Sequence, residues 1–381
     1  MPWKESISMS QRHEFVLLAT APDANFSQLC RRFQISRKTG YKWRRRFLSG
    51  GSQALADLSR RPSRSPRRTQ ACIEEQVIAL RSEHPRWGGR KLRARLQALG
   101  HGDLPAPSTM TAILHRQQQI RPDESALPHS FRRFEHPHPN DLWQMDFKGD
   151  FSTAHGRCYP LTVVDDHSRF SLSLRALASQ HGTGVQAELT EVFRRYGLPW
   201  RMTMDNGSPW GVFVRGRCCW TQLTVWLLRL GIHVSHSRPH HPQTQGKAER
   251  FHRTLKLELL RDYAWRDLSE CQHSFDHWRN QYNCERPHEA LEMAVPASRY
   301  QQSVRPWPEQ LPAVEYAADH LVRRVGKSGV ISLHQQSYFI GEAFRGLDVG
   351  LRPTTRDGQY EVYFCHQQIS SLDLREPAEQ R

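Results

Sequence analysis

Apolar residues recur at helical spacing through the first third of the chain. Phe15, Leu18 and Ala19 mark a helix over Ser10 to Thr20. Phe26, Leu29, Cys30 and Phe33 form a second stripe within ANFSQLCRRFQISRKTGYKWRRRF. That stretch predicts two helices about a tight turn at Gln34 to Ser36, with Ser36 as N-cap of the second. The spacing returns from Ile73, where Val77, Ile78 and Leu80 mark a helix that Pro85 stops. WGGRKLRARLQALG gives another helix, ended by Gly100. PSTMTAILHRQQ gives a third, with Ser108 as its expected N-cap. Each group of short helices predicts a helix-turn-helix.

The period then shortens. Leu142 to Phe147, Tyr159 to Asp166 and Arg169 to Leu177 read as strands. GVQAELTEVFRRYG is an amphipathic helix ending at Gly197, and WRMTMD is a strand ending at Asp205. TQLTVWLLRLG is a helix, IHVSHS a strand, and a long helix starts near Lys247. This order predicts an α/β unit with a mixed sheet. Leu268 to Asn283 is one more helix, and VRPWPEQLPAV reads as a Pro-rich spacer. From Val314, short strands with Gly turns predict a small all-β barrel.

Charge narrows the function. The 381 residues carry a net charge of +16, and the pI is 9.9. So basic a chain is expected to meet a polyanion, and nucleic acid is the usual one. No apolar run approaches a spanning helix and MPWKESISMSQRHEF is not a signal peptide, so a cytoplasmic, nucleoid-associated protein is expected. The eight cysteines contain no C-x-x-C pair and read as reduced packing residues. Cations gather on the second helix of the first unit, at Arg37, Lys38, Lys42, Arg44, Arg45 and Arg46. The linker GGSQALADLSRRPSRSPRRT adds Arg60, Arg61 and Arg64, which could lie along phosphates.

Three acids stand where chemistry is possible. Asp146 and Asp205 each end a strand, and ligands in α/β sheets gather at those edges. Asp205 precedes Asn206-Gly207 and also suits an Asx turn. Glu249 opens a helix, where any acid is favoured by the dipole. Together the three would need cations to neutralise them. Magnesium or manganese suits oxygen ligands, and two such ions can act on one phosphodiester. Phe251, Leu255 and Leu259 should face the core, leaving Glu249, Arg253 and Lys256 open to an anionic strand.

WQMDFKG, MDNGSPWG, HPQTQGKAERFHRTLK and YNCERPHEAL, in that order, resemble the integrase-core transposases of bacterial insertion sequences. These belong with retroviral integrases in the ribonuclease-H-like superfamily. The resemblance covers about residues 139–301. It implies an Asp-Asp-Glu catalytic and metal-binding triad, carried here by Asp146, Asp205 and Glu249, with Mg2+ or Mn2+ as cofactor. It implies cutting and joining of double-stranded DNA at element ends, and DNA-holding roles for Asn206, Lys247 and Arg250. Two departures are visible. The 44 positions from Asp205 to Glu249 exceed the spacing of many relatives, and the excess is expected to loop out at GVFVRGRCCW. The N-terminus also lacks the His-His-Cys-Cys zinc module of retroviral integrases. His236, His240 and His241 have no nearby cysteine or carboxylate and read as loop and DNA contacts.

The expected architecture is therefore multidomain. A helix-turn-helix domain spans 1–57, a basic linker 58–69 and a second helix-turn-helix 70–120. The catalytic core spans 139–301 and a β-barrel 312–375. Joining two DNA ends to a target calls for a homo-oligomer, at least a dimer on DNA. The alternative is a DNA-binding regulator or domesticated transposase that no longer cuts.

Overall fold

The computed structural model describes residues 8–58, 68–120, 135–214, 217–236 and 246–375. The chain divides into two compact units, residues 1–68 and 69–381. Arg60, Arg61, Arg64, His240 and His241 lie outside the described residues.

The first unit holds α1 (Ser8–Ala19), α2 (Phe26–Arg32) and α3 (Arg37–Gly50). The Ser36 side chain accepts from the Thr39 amide, so the expected N-cap is present. Gln34 takes a positive φ of 56° in the tight turn. Phe15, Val16, Cys30, Trp43 and Leu55 are buried together. Gly40 permits the close crossing of α3. A Cβ there would stand 2.8 Å from Cys30 Sγ and 2.9 Å from the Phe15 ring.

The second unit opens with α4 (Ala71–Glu83), α5 (Gly89–Ala98) and α6 (Pro107–Arg116) around Val77, Leu92, Met110 and Ile113. The N-cap of α6 is Ala106, with Pro107 at its first position, rather than Ser108. Proline's fixed φ starts the helix two residues earlier than a Ser108 cap would. Arg95 pairs with Glu285 at 2.8 Å and Arg86 with Asp262 at 3.4 Å, which ties these helices to the central part of the same unit.

The central sheet begins with β1 (Leu142–Phe147), β2 (Phe151–Thr153), β3 (Gly156–Asp165) and β4 (Ser171–Leu177). After α7 (Gly182–Tyr196) come β5 (Arg201–Met204), β6 (Gly211–Val214) and β7 (Arg217–Trp220). Then come α8 (Gln222–Arg229), β8 (His233–His236), α9 (Gly246–Leu255) and α10 (Leu268–Cys284). β1 pairs β3 antiparallel and β5 parallel, while β5 pairs β8 parallel. β4 pairs β3 antiparallel. The mixed sheet predicted by the element order is present.

Period-two alternation splits the central sheet between two cores. Trp143, Met145 and Phe147 join Val185, Leu189 and Leu227 of α7 and α8 on one face. On the other, Val164 and Leu174 meet Phe251, Leu255 and Leu259, the stripe expected from their spacing, together with Phe275 and Trp278 of α10. The last residue of that stripe, Leu259, lies in a π-helical turn, Lys256–Leu260.

Two expectations change. GVFVRGRCCW is not an open loop: β6 and β7 pair as a hairpin from Gly211↔Trp220 to Val214↔Arg217. Its β-branched and aromatic content favours a ladder that satisfies its own backbone. VRPWPEQLPAV is not a free spacer. Arg305 donates to the Leu230 and Gly231 carbonyls at 2.9 Å each, and Trp307 stacks near Phe193 at 6.1 Å.

The C-terminal part contains β9 (Leu321–Arg324), β10 (Val330–Leu333), β11 (Gln336–Phe339), β12 (Asp348–Pro353), β13 (Gln359–Phe364) and β14 (Gln367–Asp373). It is all-β, but its ladders do not close among the described residues. β14-β13-β12-β9 form one antiparallel sheet and β10-β11 a separate hairpin. Its inner face shares a core with the central sheet, which removes the need for closure. The Gln367 side chain also bonds both backbone groups of Val234 on β8, at 2.9 and 2.7 Å. No helix among the described residues is long and apolar enough to cross a membrane.

Candidate active site

β1 and β5 lie side by side and parallel, in register Gln144↔Thr203. Their carboxyl ends therefore leave the sheet at one edge, where Asp146 and Asp205 stand. Burial pushes the Asp146 carboxyl up to about 7, and the charge of Asp205 adds to this. Glu249 acts in the same direction, whereas the Phe147 amide and Lys148 oppose it. Asp205 Oδ1 also accepts from Gly207 N at 3.0 Å, so the Asx turn is real. Trp210 closes this loop, 1% exposed and stacked 5.4 Å from Phe147.

Glu249 lies exposed in the first turn of α9. The helix is set against β1 by Ala248 N, which donates to Gln144 Oε1 at 3.0 Å. Among the described residues, no three His, Cys, Asp or Glu side chains stand close enough to hold a metal ion as they are. Behind Asp146 lies His252, 7% exposed, with Nε2 2.8 Å from Thr162 Oγ1 and Nδ1 3.8 Å from Asp146 Oδ2. Burial pushes this imidazole down to about 3, so it is neutral at physiological pH. Thr162 Oγ1 in turn lies 2.9 Å from the Asp146 carbonyl oxygen.

The cations expected to meet DNA divide by orientation. Arg250, Arg253 and Lys256 are exposed on the side of Glu249. Lys247 is not. Its side chain is 16% exposed and paired with Asp166, itself buried beneath the helix. The position in the sequence could not show that, because helix rotation decides which neighbour of Glu249 turns inward. Asn206 is half-buried beside Asp205. On α3, Arg37, Lys38, Lys42 and Arg45 are exposed on one face together with Tyr41 and Leu48. Arg44 and Arg46 are half-buried, with the Arg46 guanidinium 5.1 Å from the Trp43 ring centroid.

Gln144, Asp166, Thr162 and His252 were not among the residues singled out from sequence. Gln144 and Asp146 share a strand face by period two, a signal that was available. Nothing local marks Asp166 or His252, whose partners are 22 and 90 positions away.

Comparison with known proteins agrees with this architecture. The Integrase core domain family matches residues 136–242 and, in a second form, residues 230–296. The C-terminal domain of IS481 family transposases matches residues 320–380. A Helix-turn-helix domain matches 11–63 and a Homeodomain-like domain 39–114. The chain is 26% identical to the insertion element IS476 uncharacterized 39.2 kDa protein of Xanthomonas euvesicatoria, over 64% of this chain and 69% of that one. It is 24% identical to the insertion element IS407 uncharacterized 31.7 kDa protein of Burkholderia multivorans, over 59% of this chain and 79% of that one. The chain is also similar to a chain of the solved simian T-cell lymphotropic virus intasome in complex with PP2A regulatory subunit B56 gamma, 15% identical, with a TM-score of 0.38, covering 78% of this chain and 100% of that chain. The sequence matches run through the core as well as the DNA-binding helices, which does not favour the alternative of a DNA-binding regulator or domesticated transposase that no longer cuts. The chain is a DNA transposase of the insertion-sequence type, built on an integrase core.

Proposed function

We propose that this transposase cuts and joins DNA at its element's ends through Asp146, Asp205 and Glu249, with Mg2+ or Mn2+ as cofactor. The observation that carries this is the parallel pairing of β1 with β5, which brings Asp146 and Asp205 to one sheet edge. The donor set fits the ions: it is all oxygen, and a carboxyl pushed up by burial and by an anionic neighbour is a site short of positive charge. When bound, two divalent ions supply Lewis-acid assistance to the attacking and leaving oxygens of the phosphodiester. Asp146 and Asp205 would hold ions at the sheet edge, with Glu249 closing the site from α9. Neutral His252 supports Asp146 from behind without competing as a charge. Exposed Arg250, Arg253 and Lys256 would hold phosphates beside the reacting strand.

The test is strand transfer in vitro with the DNA flanking the element as substrate. Joined product with Mg2+ is expected, Mn2+ should replace it, and Ca2+ should sustain binding without chemistry. Absence of joining with either ion, by protein that binds the ends, would refute the reading. At least two protein copies are expected in the joined complex, because two ends must meet one target.

End recognition is assigned to the exposed face of α3. Replacing Lys42 and Arg45 with alanine should lower the preference for end sequence over random DNA about tenfold or more, at roughly 1–3 kcal/mol per lost base contact. Replacing Arg60, Arg61 and Arg64 should weaken both DNAs alike and flatten the salt dependence. Binding titrations at several salt concentrations separate the two effects. Equal loss of preference from both sets would contradict the assignment.

A further inference from the structure

The first turn of α9 rests on Gln144 and Asp166, which lie beneath the candidate site, and adds a side chain of its own, Lys247. Gln144 Oε1 accepts from Ala248 N at 3.0 Å, and Gln144 Nε2 donates to Asp166 Oδ1 at 2.9 Å. Lys247 Nζ pairs with the same Asp166 oxygen. The other carboxylate oxygen accepts from His136 N at 2.9 Å. Gln144 and Asp166 are 3% and 1% exposed. Burying such a cluster is costly, and apolar side chains of similar volume often stabilise as well. In some proteins a buried polar cluster is kept because it fixes a register that interchangeable apolar contacts do not.

The register at stake is between the strand of Asp146 and the helix of Glu249. Gln144 lies two residues before Asp146 on the same face of β1, and Ala248 directly precedes Glu249. One amide thus grips one helical N–H, while Asp166 grips both that amide and the residue before it. A slip of one residue along α9 would turn Glu249 by about 100° around the helix axis. Misplacement of a reacting group by about 1 Å can cost roughly 10²-fold in rate.

We infer that Gln144, Asp166 and Lys247 form a register clamp that positions Glu249 opposite Asp146. The inference rests on the triad reading. It makes Lys247 a positioning residue, set by its buried ion pair, and not a phosphate contact.

Three variants of the full chain test it: Lys247→Met, Asp166→Asn and the two combined. Each single change removes one partner of the Lys247–Asp166 ion pair, and the double change removes both. Either single variant should join DNA about 30-fold more slowly or worse, in line with the cost of misplacement. Affinity for the ends and its salt slope should stay as in the parent. Hydrogen exchange in residues 246–250 should quicken while exchange in the sheet is unchanged. The double variant should recover joining to within about fivefold, with slow exchange restored. Gln144→Met, which keeps volume but loses the amide, should show the same local exchange and slow joining.

A salt slope lowered by about 1 in Lys247→Met, with no rescue in the double variant, would identify a phosphate contact and overturn the clamp. Unchanged exchange at 246–250 in both Lys247→Met and Gln144→Met would also overturn it. Should a single variant fail to fold, the double variant and Gln144→Met decide. Glu249→Gln run alongside separates the two readings. Retained joining in that variant would remove Glu249 from the triad, whereas the exchange and salt measurements judge the clamp by themselves.

Discussion

Conversion of any one of Asp146, Asp205 or Glu249 to its amide is expected to reduce cleavage and joining by about three orders of magnitude or more. The basis is that ions stabilising the reacting oxygens contribute several kcal/mol, and each 1.4 kcal/mol is a factor of ten in rate. The amides keep shape and hydrogen bonding but remove the charge that holds the ions. Binding to element ends should change little, since affinity is spread over many cations, among them the exposed face of α3. Asp146→Asn carries a second expectation. Burial and the charge of Asp205 both disfavour its ionised form, so the folded protein should be at least as stable as the parent when no metal is present. A thermal unfolding midpoint equal to or above the parent's, together with lost joining, would separate a catalytic defect from a folding one. Joining within tenfold of the parent in any of the three variants would remove that residue from the triad.

Acid is expected to destabilise residues 69–381 through imidazoles that cannot take a proton when folded. His288 packs edge-on to Tyr282, with ring centroids 4.7 Å apart, and its Nε2 lies 3.4 Å from Arg286 Nη1. Burial pushes it down to about 2, and the Arg286 and Lys91 charges add to that. An unfolded histidine protonates near 6.5. Between those values the unfolded chain binds the extra proton, so stability is full above about 6.5 and drains as pH falls. From pH 7 to 5 this amounts to up to about 2 kcal/mol. Asp146 acts in the opposite sense over part of the same range. Its folded value near 7 exceeds its ordinary 3.8, so proton uptake there favours the folded state as pH falls. The contribution of His288 is therefore best read by difference. His288→Gln should cost stability at pH 7 through lost packing, and that deficit should shrink by up to about 2 kcal/mol at pH 5. Urea unfolding of both proteins at the two pH values measures it. A deficit independent of pH would show that the folded imidazole titrates normally.

How far the site was legible from sequence differs from residue to residue. Strand patterning located Asp146 and Asp205 at strand ends, because alternation with apolar residues is a local signal. The stripe Phe251, Leu255, Leu259 oriented α9 correctly, since a helix face follows from spacing alone. Neither signal could show that Lys247 turns inward. Its partner Asp166 is 81 positions away, and a cation beside a buried carboxylate looks in sequence like any surface cation. His252 was missed for the same reason: its partners Thr162 and Asp146 arrive from β3 and β1 only after the sheet has formed.

At larger scale, the order of periods along the chain determined the helical units, the α/β core and the all-β end, because each period reflects which face of an element is buried. Tertiary structure decided the rest. It left the C-terminal sheet open, since that sheet buries its inner face against the central core and Gln367 occupies the backbone of β8. It folded GVFVRGRCCW into a hairpin and packed VRPWPEQLPAV onto the core. It also set which cations near Glu249 face solvent and which hold the helix. Those outcomes depend on which distant surfaces meet, and periodicity within one segment carries no information about its partner.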